Sequence, residues 1–455
     1  MRRRLTVAIG GALLLSTMGP VACQRPRIAP SVPPISFATG EPVVITQRTA
    51  DIAPPPVLPV VRRQVAVLTI VARTRLTPAN VPRGTRLRFE LFGDLNVTAV
   101  VDHVEVYRDS GVTLVASGES HPGHVALTYA AGQLAVLFAL PTEGDIEVVP
   151  FSATDLLVSQ MEKRLRVSCD ATSRLRSGSP AGTASAMASN LPSQVDVGVM
   201  YTRAALCSLR PTQQCPDEEY LRLKVSSWAM SSSRYFTCSG INARLNVVAL
   251  KNLSYRESGS LSTDLTRFNS SGAPPGADVA EFRTANDADV VLVLVAEGDN
   301  YGLAEVFTTG YSVDQFKQIA TGMAVAKVAF GHTLLHEVGH IMGAGHQQGQ
   351  GTGRYAYSHG NVMRSRSGNH YTLMAQGSGS RLTLFSGPDV PFGKESTGSP
   401  TIDNVRTINE TRQLVEGFQV SNRTPTPAVP CSRILYRALS GTALPLEQRT
   451  TVPLR

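Results

Sequence analysis

Beyond its first two dozen residues, this 455-residue chain has no apolar run long enough to cross a bilayer as a helix. An internal membrane span is therefore not expected. No tandem repeat is apparent, so no repeat array is expected either. The net charge is +8, but the arginines are scattered and no basic stretch is interleaved with aromatics. That pattern gives a basic soluble surface and no nucleic-acid partner. Charged residues are sparse at 17%, whereas hydrophobic residues make up 42%, enough for ordinary packed cores. The length allows two or three domains.

The one leader-like stretch is at the start. Arg2, Arg3 and Arg4 precede an uncharged apolar run over 5–18, which Gly19 and Pro20 break. This is the form of an export signal, expected over 1–22. Cys23 follows the small Ala22, as in a lipid-acceptor site, although Pro20 fits that pattern badly. The expected location is therefore secreted, or anchored at the cell surface or outer membrane through Cys23. Five cysteines remain: Cys169, Cys207, Cys215, Cys238 and Cys431. An odd count leaves at least one thiol without a partner in the chain, and the pairing is not readable from spacing.

Residues 23–61 are rich in proline and read as an extended linker. Over 62–166 short β-like runs recur, at 65–71, 86–92, 102–107, 125–129, 133–138 and 147–151. Turn signals between them, such as Ala131-Gly132, suggest a small all-β sandwich. Residues 167–193 are rich in Ser, Gly and Ala and read as a flexible joint. From 194 to 420 the texture changes. Strand-like runs at 195–201, 244–250 and 289–295 alternate with helical spacing at 218–235 and 277–284, which predicts an α/β domain. Residues 421–455 read as a tail.

The densest chemistry lies in the run from His336 to His346. His336 and His340 are four apart, so on a helix they project from one face. Two imidazoles so spaced can hold one zinc ion. Gly343 allows a left-handed exit from that helix, and the turn returns His346 as a third ligand. Three histidines leave one coordination position for water, which is the catalytic arrangement. Glu337, next to the first ligand, is the candidate general base. One catalytic zinc ion and a protein or peptide substrate are the cofactor and partner that this motif implies. A closed structural zinc site would have no use for Glu337. A non-catalytic surface-binding protein on a peptidase fold is the competing reading, and the intact trio argues against it.

The run resembles the extended zinc-binding motif of the metzincin metallopeptidases. Residues 371–375, with Met374, resemble the Met-containing turn beneath the metal of that family. The segments 195–205, 235–255, 289–304, 355–357, 385–390 and 404–409 resemble the reprolysin-like peptidyl-Asp metalloendopeptidases. The resemblance implies an α/β catalytic domain with a mixed twisted sheet, an active-site helix and a Met-turn subdomain. It also implies that the preceding all-β domain is a propeptide, so that the chain is a zymogen, and that cleavage falls on the amino side of Asp. An edge strand at Leu303 and Ala304 would then pair with the substrate backbone. Arg381 is the preferred cation for the acidic side chain, ahead of Arg364 and Arg366. Two departures stand out. Gln376 occupies the place where some metzincins have a Tyr near the metal, which removes one transition-state donor. Gly302 stands where a disulfide cysteine is expected. His332, His359 and His370 are read as flanking or loop residues, and Cys169 or Asp170 as a fourth ligand that would silence the precursor.

Overall fold

The computed structural model describes residues 43–51, 60–68, 81–107, 111–140, 143–150, 155–161, 191–209, 215–319, 323–326, 331–351, 353–365, 368–421, 423 and 426–431. Cys23, Cys169, Asp170 and Arg366 lie outside them. From residue 37 onward the chain is one compact unit.

Nine strands form the first part: β1 (Val43–Asp51), β2 (Val60–Leu68), β3 (Arg86–Leu91), β4 (Leu95–Tyr107), β5 (Gly111–Gly118), β6 (His124–Ala130), β7 (Gln133–Ala139), β8 (Ile146–Pro150) and β9 (Asp155–Met161). They close into a barrel in the order β1-β2-β9-β8-β7-β6-β5-β4-β3. The expectation was a sandwich. Closure depends on β1, which pairs with β2 and, in parallel, with β3. Its short apolar run, Val43-Val44-Ile45, sits inside the stretch read as a linker, where the flanking prolines hid it.

Strand β3 shows the alternation of a half-exposed strand, with Leu87, Phe89 and Leu91 turned inward. Strand β7 does not alternate. Its Leu134, Val136 and Phe138 fill the barrel, while Ala135, Leu137 and Ala139 join the core of the α/β region. The outer wall of the barrel is therefore itself buried, against a helix from the second half of the chain.

That second half contains α1 (Arg203–Ser208), α2 (Glu218–Cys238), α3 (Leu261–Phe268), α4 (Gly276–Ala285), α5 (Val313–Ile319), α6 (Gly331–Ile341) and α7 (Asn404–Glu416). Its main sheet consists of β10 (Ser193–Tyr201), β11 (Ala243–Asn252), β12 (Val290–Val295) and β13 (Met323–Ala326), in the order β11-β10-β12-β13. All three pairings are parallel. Helices separate each successive pair of strands, as parallel crossovers require. A mixed sheet was expected. Leu303 and Glu305 contribute only isolated bridges, not a named edge strand. Small strands follow: β14 (Val362–Ser365), β15 (Gly368–Tyr371), β16 (Ser380–Arg381), β17 (Pro391–Phe392) and β18 (Glu395–Ser396).

Helix α2 is the spine between barrel and sheet. Asp217 caps it by accepting from the Tyr220 amide at 2.9 Å. One face carries Leu221, Val225 and Trp228 into the common core. The helix lies across β5 to β8 and is tied to the barrel by charge. Lys224 Nζ reaches Glu147 at 2.5 Å, and both side chains are buried. Trp228 Nε1 donates to the same carboxylate at 3.1 Å. Arg234 pairs with Asp102 at 2.7 Å. From β11, Arg244 pairs with Glu105 at 2.7 Å. His124 Nε2 lies 2.8 Å from Ser231 Oγ, with its ring edge-on to Tyr235.

Among the described residues two disulfides are formed, Cys207–Cys215 and Cys238–Cys431. The second draws the chain after 421 back onto α2. Val429 is buried there, and the Pro427 carbonyl accepts from Arg244. The first part of the stretch read as a tail is thus packed. Among the described residues, no helix is long and apolar enough to cross a membrane.

Candidate metal centre

Helix α6 presents its apolar side, Leu334, Leu335, Val338 and Ile341, to the common core. This fixes the rotation of the helix and turns His336 and His340 to one side, a turn apart. The helix stops at Ile341, and Gly343, at φ +82°, reverses the chain in a left-handed conformation. The Gly343 amide donates to the His340 carbonyl at 2.8 Å, and Ala344 to Gly339 at 2.9 Å. Asn404, at the start of α7, then spans the backbone of Gly345: it accepts from the amide at 3.1 Å and donates to the carbonyl at 3.0 Å. His346 is delivered from this braced turn.

Each helical ligand candidate is oriented by a backbone carbonyl. His336 Nδ1 donates to Leu373 O at 2.9 Å, and His340 Nδ1 to Ala344 O at 2.9 Å. The Nε2 atoms therefore converge: His346 Nε2 lies 3.2 Å from that of His336 and 3.0 Å from that of His340. Tetrahedral ligands about 2.05 Å from zinc stand roughly 3.3 Å apart, so the spacing suits a zinc ion. The trio is the cluster of ligand type found among the described residues. All three rings are buried, which holds them neutral with lone pairs available. Burial, then the neighbouring imidazoles, push His336 and His340 well below the usual histidine range. Burial, with the charge of Arg381 adding to it, takes His346 down to about 4.

Glu337 is fully buried beside the trio. Its carboxylate lies against the backbone of Gly302: a Cβ at 302 would come 2.3 Å from Oε1. That close approach is the physical reason for glycine where a cysteine was expected. Met374 is also buried, with its sulfur packed so closely on α6 that a Cβ at Gly339 would meet it at 2.6 Å. Leu303 and Ala304 are buried. Arg381 lies on β16 behind His336. Its Nη1 donates at 2.6 Å to the Leu373 carbonyl that also receives His336. Arg364 is exposed on β14. His332 approaches Asp145 of the barrel at 3.3 Å, and His359 Nδ1 the His346 carbonyl at 3.2 Å. His370 is on β15 near Ser365.

Sequence reasoning missed three residues at this centre. Asn404 lies in a family-like segment that says nothing of its clamp, Gln347 carries no local signal of a role, and Gln376 reads from sequence as a lost donor. In the structure the Gln376 amide nitrogen is 3.1 Å from His346 Nε2. The signal available was position: Gln347 follows His346, and Gln376 follows Met374 by two.

Comparison with known proteins fixes the class. Residues 221–386 match the reprolysin-type family model described as metallo-peptidase family M12. This stretch is a reprolysin-like metallopeptidase domain, and the chain is a zinc metalloendopeptidase. Similar proteins include two peptidyl-Asp metalloendopeptidases of Stenotrophomonas maltophilia. The one from strain R551-3 is 25% identical over 361 residues, covering 73% of this chain and 83% of the relative. The one from strain K279a is 25% identical over 362 residues, with the same coverage. Among solved structures, metalloproteinase-II from Bacteroides fragilis aligns over 72% of this chain and 91% of its own, at 11% identity and a TM-score of 0.38.

Proposed function

We propose that the protein is an exported endopeptidase that hydrolyses peptide bonds on the amino side of Asp, with Glu337 as general base. The observation that carries this reading is the convergence of three buried imidazole nitrogens beside a buried carboxylate. Bound zinc would supply an acidified water and polarise the scissile carbonyl. His336, His340 and His346 would hold the single ion. Glu337, confined against Gly302, takes the proton of the attacking water and returns it to the leaving amine. The backbone at Leu303 and Ala304 aligns the extended substrate. Met374 forms the floor under the imidazoles.

The preference for Asp is carried over from the relatives' names and needs a cation beside the trio. The charge of Arg381 is felt at both His336 and His346. A buried substrate carboxylate without such a partner would be costly to desolvate. Peptides that differ only in Asp or Asn after the scissile bond test this. The wild type should favour Asp by about 10- to 100-fold, as expected for a charge-assisted hydrogen bond. Arg381→Ala should remove most of that ratio. Equal cleavage of the two peptides by the wild type would refute the acidic preference.

The barrel fits a removable prodomain. Its outer wall is buried on α2, and Asp145 reaches His332 on the active-site helix. A chain beginning near Leu191 should then be more active than the full chain. Equal activity would rule out latency.

A further inference from the structure

We propose that Gln376 is a catalytic residue whose side-chain amide donates a hydrogen bond to the scissile carbonyl oxygen as that oxygen gains negative charge, with Gln347 as the residue that positions it. This rests on the reading of the histidine trio as a catalytic centre.

Three observations lead to it. First, the amide of Gln376 lies 3.1 Å from His346 Nε2, the ring atom that faces the other two histidines. It is therefore placed at the centre of the site rather than at its rim. A ring nitrogen whose lone pair is committed to a metal no longer accepts a hydrogen bond. With the trio loaded, the amide must turn to another acceptor at the same place, and the carbonyl oxygen of a bound peptide arrives there.

Second, Gln376 is held from behind. Its backbone amide donates to Gln347 Oε1 at 2.8 Å, and its carbonyl accepts from Gln347 Nε2 at 2.9 Å. One side-chain amide thus spans both backbone groups of residue 376. Gln347 Nε2 also donates to Gln350 Oε1 at 2.6 Å, which fixes the direction of that amide. Because Gln347 is the residue after His346, the clamp registers Gln376 to a ligand and not merely to the fold. Asn404 does the same for Gly345 on the other side of His346.

Third, the chemistry suits the role. A primary amide offers two N–H donors and does not titrate in the working pH range. A fixed neutral donor aimed at developing charge stabilises the transition state more than the ground state. Its removal should therefore appear in kcat and leave KM nearly unchanged.

The experiment uses Gln376→Ala, Gln347→Ala and the double variant. Each is expressed as the full chain and assayed in the form in which the wild type is active. Measurements are kcat and KM on one peptide, affinity for a phosphinic peptide that carries a tetrahedral anionic centre, and zinc affinity by competition with a chelator. Gln376→Ala should lower kcat by about 10²- to 10³-fold, the range seen for removal of one such donor. KM and zinc affinity should change less than threefold, and phosphinate affinity should fall with kcat. Gln347→Ala should give a smaller kcat loss, and the double variant should be no worse than Gln376→Ala alone. An unchanged kcat or phosphinate affinity in Gln376→Ala would overturn the proposal. So would a parallel loss of zinc affinity, which would make Gln376 part of the metal's support. Additive losses in the double variant would remove Gln347 from the role assigned to it. Absence of zinc from the wild type would instead refute the catalytic reading of the trio.

Discussion

Replacing Gly302 by alanine puts a methyl group in place of a hydrogen and should disable the enzyme without removing its metal. A Cβ at 302 would lie 2.3 Å from Glu337 Oε1, 2.9 Å from its Cδ and 2.7 Å from Thr333 Cγ2. These are its three nearest neighbours, and none belongs to a histidine. Thr333 and Glu337 are a turn apart on α6, the helix that carries His336 and His340. The helix cannot retreat without dragging His336 and His340, and its apolar side is already seated in the core. The Glu337 carboxylate is therefore the part that yields, by about 1 Å to regain van der Waals contact. A displacement of that size at a reacting group costs about 10²-fold in rate. The overpacking itself should cost about 1–3 kcal/mol of stability. Steady-state kinetics on a peptide, zinc content by atomic absorption and a thermal melt measure the three quantities. The expected result is a kcat lower by about 10²-fold, full zinc occupancy and a modest fall in Tm. A metal-loaded, folded Gly302→Ala enzyme within threefold of wild-type kcat would refute the reasoning, because Glu337 would then tolerate displacement.

Other consequences concern the barrel. Lys224→Met leaves the buried Glu147 carboxylate with the Trp228 indole but without its cation, and should destabilise the full chain by about 3–5 kcal/mol in denaturant unfolding. A loss under 1 kcal/mol would show that the pair contributes little to docking. His124 is held well below the usual histidine range by burial and then by the charge of Arg234; Ser231 and Tyr235 also face it. The unfolded chain therefore takes up that proton first as pH falls below about 6.5, and stability is lost by up to about 1.4 kcal/mol per pH unit. Asp289, pushed up to about 8 by burial, gives a slope of opposite sign, so the comparison is between zinc-loaded wild type and His124→Gln. The variant should lose less stability between pH 7 and 5, and identical slopes would refute the assignment.

The site was more legible than its surroundings, for a physical reason. His336, Glu337, His340 and His346 are spaced by the helix repeat and one glycine turn, so a short stretch of sequence specifies their geometry. The apolar positions of α6 and α2 followed from the same periodicity. Strand β7 was legible as a strand, but its second buried face was not, because a two-sided burial reads only as a continuous apolar run. The barrel was mistaken for a sandwich because closure is a long-range pairing of β1 with β3, and the apolar run of β1 is short and set among prolines. Gln347, Gln376 and Asn404 were illegible for a related reason. Polar side chains that clamp a backbone act across 29 and 59 residues of chain, and no local spacing announces them. Gly302 was noticed as a missing cysteine, whereas its meaning lies in the Glu337 carboxylate that it admits.

The most direct test of the central claim is turnover by Glu337→Gln with its metal content measured on the same sample. Glutamine keeps the size of the side chain and touches none of the three ligand nitrogens, so zinc should remain bound at one ion per chain. Peptide hydrolysis should fall by at least about 10²-fold, since the group that accepts the water's proton is gone. A Glu337→Gln protein that is zinc-loaded and still cleaves at the wild-type rate would contradict the account.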